Sequence, residues 1–240
     1  MNGIHQTKQG FWVLDNDPWI STWAEQAGRL DHDRTIDLLC SLIPPCGVVI
    51  DAGAAIGDHT VSYGHRVGSN GLVLAYEPNP DAYACLVMNT RKQPWVHPYR
   101  MALAGASATL AMDYKPDNIW ASQVSTFEAN LNGTPGRMLD DISEDYGLDR
   151  LDFLKMDVEG FEPSVLLGAM DTINEFRPII ACEINKGAIA RYGWTAEANI
   201  YKPLQDLGYT MKFIDPTHTL ELDQFDCLFM PTTTNSPPPP

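Results

Sequence analysis

The sequence predicts an α/β fold: a mostly parallel sheet with helices on both faces and its last strand antiparallel. Three observations predict it. Short apolar runs alternate with longer helix-like stretches across residues 47–208, the pattern of strand–helix–strand units whose strands run parallel. A turn of small residues, "DAGAAIGDHT" (51–60), follows the first apolar run. Two further apolar runs, "YTMKFID" (209–215) and "DCLFM" (226–230), close the domain as a hairpin.

The first strand is "GVVID" (47–51), and the helix after it "DHTVSYGHRVG" (58–68). "GLVLAYE" (71–77) and "DAYACLVMNTRK" (81–92) repeat that unit, and "WVHPYRMAL" (95–103) supplies a third strand. "SATLAMDY" (107–114) reads as an extra strand. The segment 115–136 is rich in Asn, Ser, Gly and Thr and reads as loop. "LDFLKMD" (151–157) is the fourth main strand, "PSVLLGAMDTINEF" (163–176) its helix, and "PIIACEI" (178–184) the fifth. "AEANIYKPLQDLG" (196–208) has helical character, but Pro203 should bend or break it. Three segments follow: residues 1–44 as a helical or lid segment packed on the core, 45–232 as the catalytic domain, and a flexible Pro-rich tail, 233–240.

With 16 Lys and Arg against 31 Asp and Glu, the 240-residue chain carries a formal charge of −15. That balance disfavours nucleic acid or an anionic membrane as the main partner. The five cysteines form no C-x-x-C pair, and their apolar surroundings read as a reduced core. No apolar run is long enough to span a membrane and no signal pattern opens the chain, so a cytoplasmic protein is expected. The Asn132-Gly133-Thr134 sequon then reads as a chance match.

The turn after the first strand has small residues at Gly53, Ala55 and Gly57, which let backbone approach a ligand closely. The next helix presents its N-terminal amides there. A dinucleotide fingerprint wants G-x-G-x-x-G, which this spacing does not match. Asp51 adds negative charge that would repel a pyrophosphate and favour a cationic ligand. S-adenosylmethionine (AdoMet), with its sulfonium and amino groups, fits better than NAD. Glu77, at the end of the second strand, can accept hydrogen bonds from both ribose hydroxyls, and Pro78 and Pro80 fix its turn.

"VVIDAGAAIGDHT", "AYEPNP", "LDFLKMDVEGFEPSVLLGA" and "PIIACEIN" resemble, in order, the motifs of the FkbM-type methyltransferases. The resemblance implies a Rossmann-like, seven-stranded class I fold that binds AdoMet and methylates hydroxyls, with carbohydrate, polyketide or lipid-linked acceptors as the usual range. The family usually carries Asn where this chain has Ala55. The candidate cofactor residues are Asp51, Gly53, Ala55, Gly57, Thr60, Glu77, Pro78 and Asp157.

The stretch "LKMDVEGFE" (154–162) places four charges at the end of an apolar strand. Alternation puts Lys155, Asp157 and Glu159 on one side if the strand runs that far. In the arrangement the resemblance implies, Asp157 and Glu159 border the cofactor. Either orients the acceptor hydroxyl or takes its proton, with Glu183 the next candidate base. Lys155 pairs with one of these acids, or serves the site itself. Glu162 complements the dipole of the next helix. The same carboxylates allow Mg²⁺ or Ca²⁺ as an alternative, so a divalent metal stays open.

Residues 11–34 hold Trp12, Trp19 and Trp23 beside Asp31, His32 and Asp33. Either the tryptophans pack on the sheet, or the segment is a lid bearing Gln26, Arg29 or His32. His59 reads as structural. The expected function is AdoMet-dependent O-methylation of a small-molecule or glycan-like acceptor. N-methylation, a silent AdoMet-binding module and an NAD-dependent dehydrogenase are the alternatives. The oligomeric state is not written in the sequence.

Overall fold

The computed structural model describes residues 3–15, 23, 24, 26, 35–113, 123–126 and 133–232. Expectations placed on Trp19, Arg29, Asp31, His32, Asp33, Asn132 and the tail 233–240 fall outside the described residues.

The chain opens with a hairpin, β1 (Ile4–Gln6) and β2 (Trp12–Leu14), followed by α1 (Ile36–Leu42). Next come β3 (Val48–Ala52), α2 (Asp58–Val67), β4 (Leu72–Tyr76), α3 (Pro80–Thr90) and β5 (Val96–Tyr99). The second half contributes β10 (Phe153–Met156), α5 (Glu162–Leu167), α6 (Met170–Phe176), β11 (Ile179–Asn185) and α7 (Lys186–Ala190). It ends with α8 (Lys202–Asp206), β12 (Tyr209–Phe213) and β13 (Gln224–Pro231). Between the halves lie β6 (Ala102–Leu103), β7 (Ala108–Asp113), β8 (Gln123–Thr126), β9 (Thr134–Arg137) and α4 (Leu139–Tyr146).

Seven of these strands form the main sheet in the order β12-β13-β11-β10-β3-β4-β5. All neighbours are parallel except β13, which runs antiparallel to both β11 and β12. The Rossmann-like, seven-stranded expectation with an antiparallel last strand therefore holds. Chain order reverses between β3 and β10, and a crevice opens outside the carboxyl ends of strands at such a point.

Helices cover both faces, and side-chain alternation assigns the residues of each strand to one or the other. Val49, Val73 and Phe153 pack with Ile36, Leu39, Tyr63 and Val67 of α1 and α2. Ile50, Ala52, Leu154 and Met156 pack on the opposite face with Leu139, Ile142, Val165, Leu166 and Ile173 of α4, α5 and α6. By the same parity Asp51 and Lys155 lie on the α2 face. They are in register with each other, and Ala75 and Ala181 flank them on the neighbouring strands. Small neighbours leave room for the long lysine stem inside the sheet–helix layer.

Four features differ from the sequence expectations. The 115–136 segment is not only loop: β8 and β9 join β6 and β7 in a four-stranded sheet, order β6-β9-β7-β8. The run 163–176 is two helices that meet at Gly168 and Ala169, and a Cβ at Gly168 would stand 2.1 Å from the Ala104 carbonyl oxygen. Asp140 then accepts from Thr172 N–H (2.8 Å) in the first turn of the second helix. Pro203 widens its helix rather than breaking it: a π-helical turn, Glu197–Tyr201, runs directly into α8. The described N-terminal residues include a β-hairpin, not helix alone. Trp12 packs against this part of the core, so packing is its observed role. Cys85, Cys182 and Cys227 are buried, whereas Cys46 is exposed, and all five cysteines are free thiols.

Candidate active site

The crevice is built on the ends of β3, β4, β10 and β11. At β3 the chain leaves through Gly53 (φ 80°) and Ala55 (φ 49°), both left-handed. A Cβ at Gly53 would lie 1.8 Å from the Asp157 carbonyl oxygen. Close approach of the β10 turn alone demands glycine here. Gly57 is packed in the same way against Leu86 of α3, 2.9 Å from an added Cβ. The turn amides are also engaged internally. Gly53 N–H and Ala54 N–H donate to Tyr76 O (both 3.0 Å), and Ala55 N–H to Glu77 Oε2 (2.9 Å).

Asp51 is fully buried and accepts from Thr60 Oγ1–H at 2.6 Å. Its Oδ1 accepts no hydrogen bond among the described residues and lies 3.7 Å from Lys155 Nζ. Asp51 and Thr60, both candidate cofactor residues, are thus buried and bonded to each other at the base of the turn. Lys155 links three parts of the crevice: Asp51, Asp157 Oδ2 at 3.4 Å, and the Gly53 carbonyl, to which it donates at 3.2 Å. Burial pulls the Lys155 ammonium toward neutrality, and the carboxylates of Asp157 and Asp51 outweigh it, so the net shift is upward.

Glu77 is buried beside Pro78, its Oε1 accepting from Asn79 N–H at 2.7 Å. Burial pushes its carboxyl up to about 7 despite the two backbone donors and Lys155. Asn79 in turn caps α3, accepting from Asp81 N–H (2.9 Å) and Ala82 N–H (3.3 Å) with Pro80 in the first turn. The "EPNP" turn is therefore rigid from both sides.

β10 ends at Met156, so alternation does not carry Glu159 onto the Lys155 side. Glu159 instead occupies a left-handed position (φ 58°), followed by Gly160, where a Cβ would meet the Ala188 carbonyl carbon at 2.5 Å. Glu162 holds this turn. Its Oε1 accepts from Val158 N–H (2.8 Å) and Gly160 N–H (3.3 Å), while Oε2 is buried without a hydrogen bond among the described residues. Burial raises Glu162 to about 7.

Asp157 is 40% exposed at the mouth, and Glu159 and Glu183 are half-buried. Glu159 is pushed up to about 8 by burial first, then by Glu183 and Asp157, against the pull of Arg191. Glu183 rises for the same reasons, burial and then Asp157, although Gln224 Nε2–H donates to its Oε1 at 2.8 Å. The structure thus brings Asp157, Glu159 and Glu183 together electrostatically. No group of three or more His, Cys, Asp or Glu among the described residues is placed to hold a metal ion. No helix among them is long and apolar enough to cross a membrane. His59 lies 4.0 Å from Asp58 and edge-on to Tyr63, a packing position. Gln26 is exposed.

A family model, the methyltransferase FkbM domain, matches residues 51–211. The chain belongs to the FkbM methyltransferase family. The hexuronic acid methyltransferase AglP of Haloferax volcanii is 27% identical over 147 residues, 58% of this chain and 56% of AglP. The match therefore spans little more than half of that relative. Among solved structures, methyltransferase FkbM from Methylobacillus flagellatus KT aligns with a TM-score of 0.49 at 17% identity, over 81% of this chain and 50% of that one. Fibrillarin from Aeropyrum pernix, solved with bound S-adenosyl-L-methionine, aligns with a TM-score of 0.45 at 13% identity, over 95% and 81%.

Sequence reasoning missed Asn89, Arg191 and Gln224 in this FkbM crevice. Asn89 stands out only as an amide near the end of the run "ACLVMNT". Arg191, whose Nη2–H donates to the Glu159 carbonyl at 3.1 Å, carries no local signal at all. Its place depends on how α7 folds back over the β10 turn.

Proposed function

We propose that this protein transfers the methyl group of AdoMet to a hydroxyl of a glycan-like acceptor, a uronic acid or related sugar. The observation that carries the reading is the trio Asp157, Glu159 and Glu183 beside the glycine turn, with Glu159 raised by burial to about 8. A hydroxyl needs a base near its proton, and a base is most effective when its pKa lies near the working pH. Asp157, engaged by Lys155, orients the acceptor; Glu159 and Glu183 are the candidates to take the proton. AglP, a hexuronic acid methyltransferase, supports a sugar acid as acceptor class.

The residues present fit AdoMet. Glu77 is a buried carboxyl held near neutrality, and ribose hydroxyl donors would favour its ionised form. Ala55 and Pro78 border the same turn and would contact the nucleoside, and Asp157 the methionine end. When bound, AdoMet supplies an electrophilic methyl group. We assign this chemistry to residues 45–232, with the described hairpin of the N-terminal segment packed on that domain.

The test is methyl-labelled AdoMet offered with a uronic acid, a neutral hexoside, a phenol and an amine. Label on a sugar oxygen is expected. Glu159→Gln and Glu183→Gln should each lower kcat by about 10²–10⁴-fold. Label only on the amine, or unchanged turnover in both amide variants and in Asp157→Asn, would sink the reading.

A further inference from the structure

The N-terminal hairpin lies outside the residues that the family model matches, yet it is joined to the glycine turn through one side chain. Asn89, in the last turn of α3, grips the edge strand β2 as a neighbouring strand would. Its Oδ1 accepts from Trp12 N–H (2.7 Å), and its Nδ2–H donates to Trp12 O (2.9 Å). The same amide nitrogen donates to Ile56 O (2.8 Å), inside the glycine turn. Apolar contacts follow the same line. Ile56 is fully buried in a cluster with Val13 and Leu14 of the hairpin and Ala82 and Cys85 of α3. Leu86, one turn before Asn89, packs against Gly57.

A two-stranded hairpin of three-residue strands is marginal in water by itself. Its order therefore depends on this docking. The turn, in its left-handed conformation at Gly53 and Ala55, needs outside support to stay in one shape. Each supports the other, and coupling of this kind is reciprocal: what tightens the turn must tighten the hairpin by the same free energy.

We infer that Asn89 is a positioning residue for the methyl-donor site, clamping the N-terminal hairpin onto the glycine turn so that hairpin docking and donor binding reinforce each other. This rests on the AdoMet reading of the turn given above. Asn89 touches no reacting atom; it acts through Ile56.

The experiment uses the full chain and two readouts. Hydrogen exchange at the Trp12 amide, with and without AdoMet, reports hairpin docking without any substitution. Saturating AdoMet is expected to slow it at least about fivefold. Calorimetric titration with AdoMet then compares the wild type with Asn89→Ala and Asn89→Asp. Asn89→Ala should weaken binding by about tenfold, while the KM for the acceptor stays where it was. Asn89→Asp should be weaker still, because a carboxylate oxygen would face the Trp12 and Ile56 carbonyls. A residue that only stabilised the fold would move neither the ligand-dependent exchange nor the ratio of the two KM values. The inference is overturned if the wild type binds AdoMet with no change at the Trp12 amide, or if Asn89→Ala binds as tightly as the wild type. Failure of the wild type to bind AdoMet at all would overturn the reading of the site and this inference with it.

Discussion

Replacing Lys155 by Met keeps most of the side-chain volume and removes the ammonium. Its three partners then lose their cation together: Asp51 Oδ1, Asp157 Oδ2 and the Gly53 carbonyl. They are not equal. The Lys155 side chain is 9% exposed and that of Asp51 0%, so their pair is screened very little. Asp157 is 40% exposed, and water replaces the lost contact there. The cost is therefore set by Asp51, left as a buried carboxylate with only the Thr60 hydroxyl. Removing one partner of a buried pair costs about 3–5 kcal/mol. At about 2–4 °C per kcal/mol for a protein of this size, the melting temperature should fall by roughly 6–20 °C. Urea unfolding at pH 7 measures the loss, and the double variant Asp51→Asn/Lys155→Met supplies the control. With no charge left to strand, it should recover most of the loss, giving a strong coupling between the two sites. A loss under about 1 kcal/mol in Lys155→Met, within the range of an exposed pair, would refute the reasoning. So would a double variant no more stable than the single one.

Three further outcomes follow from the same geometry. Glu162→Gln keeps an oxygen for Val158 N–H and Gly160 N–H and should lie within about 1 kcal/mol of the wild type; Glu162→Ala strands both donors and should cost about 2 kcal/mol or more in denaturant unfolding. Gly53→Ala drives a Cβ toward the Asp157 carbonyl at a left-handed φ, so both the melting temperature and AdoMet affinity should drop; an unchanged titration curve would show that the two turns can part freely. Glu77 and Glu162, both raised to about 7, hold protons in the folded chain that the unfolded chain releases near 4.5. Their contribution is complete below about 4.5 and is lost as pH rises to about 7, so the melting temperature without ligand should fall between pH 5 and pH 8. Ribose binding favours ionised Glu77. AdoMet titration near pH 7 should therefore release a proton, seen as a heat that varies with the ionisation enthalpy of the buffer.

The sheet was legible because its strands are buried on both faces and read as continuous apolar runs, Val48–Ala52 and Ile179–Asn185 being the plainest. The "EPNP" turn was legible because Pro78 and Pro80 fix its backbone locally, while the Asn79 cap came only with the structure. What was not legible depends on contacts from elsewhere in the chain. β8 and β9 carry Gln, Thr, Pro and Gly and have strand form through their pairing, β8 with β7 and β9 with both β7 and β6. β1 and β2 have three residues each, too few for a periodic signal, and depend on Asn89, 77 residues from Trp12 in sequence. α4, "LDDISEDY", has an apolar stripe of only Leu139 and Ile142 and was passed over. The turn itself was legible in outline, but the packing of Gly53 on Asp157 and of Gly57 on Leu86 was not, because both partners are distant in sequence.

The charges of "LKMDVEGFE" illustrate how neighbouring acids come to differ. Six carboxyls gather at these strand ends: Asp51, Glu77, Asp157, Glu159, Glu162 and Glu183. Lys155 and Arg191 are the cations that act on Glu159 there. Lys155 engages two acids, Asp51 at 3.7 Å and Asp157 at 3.4 Å. Glu162 and Glu77 are held by backbone N–H groups, which stabilise a carboxylate but bring no charge, so burial still raises both. Glu159 feels Glu183 and Asp157 more than it feels Arg191 and Lys155, and Glu183 feels Asp157, Glu162 and Asp226, so both are raised. Protonation is what relieves that repulsion in the empty crevice. A donor hydroxyl arriving from an acceptor, or the positive charge of a methyl donor, relieves it in an occupied one. Glu159 and Glu183, whose charge the protein neutralises least, are thus set apart from the four acids held by Lys155 or by backbone N–H groups.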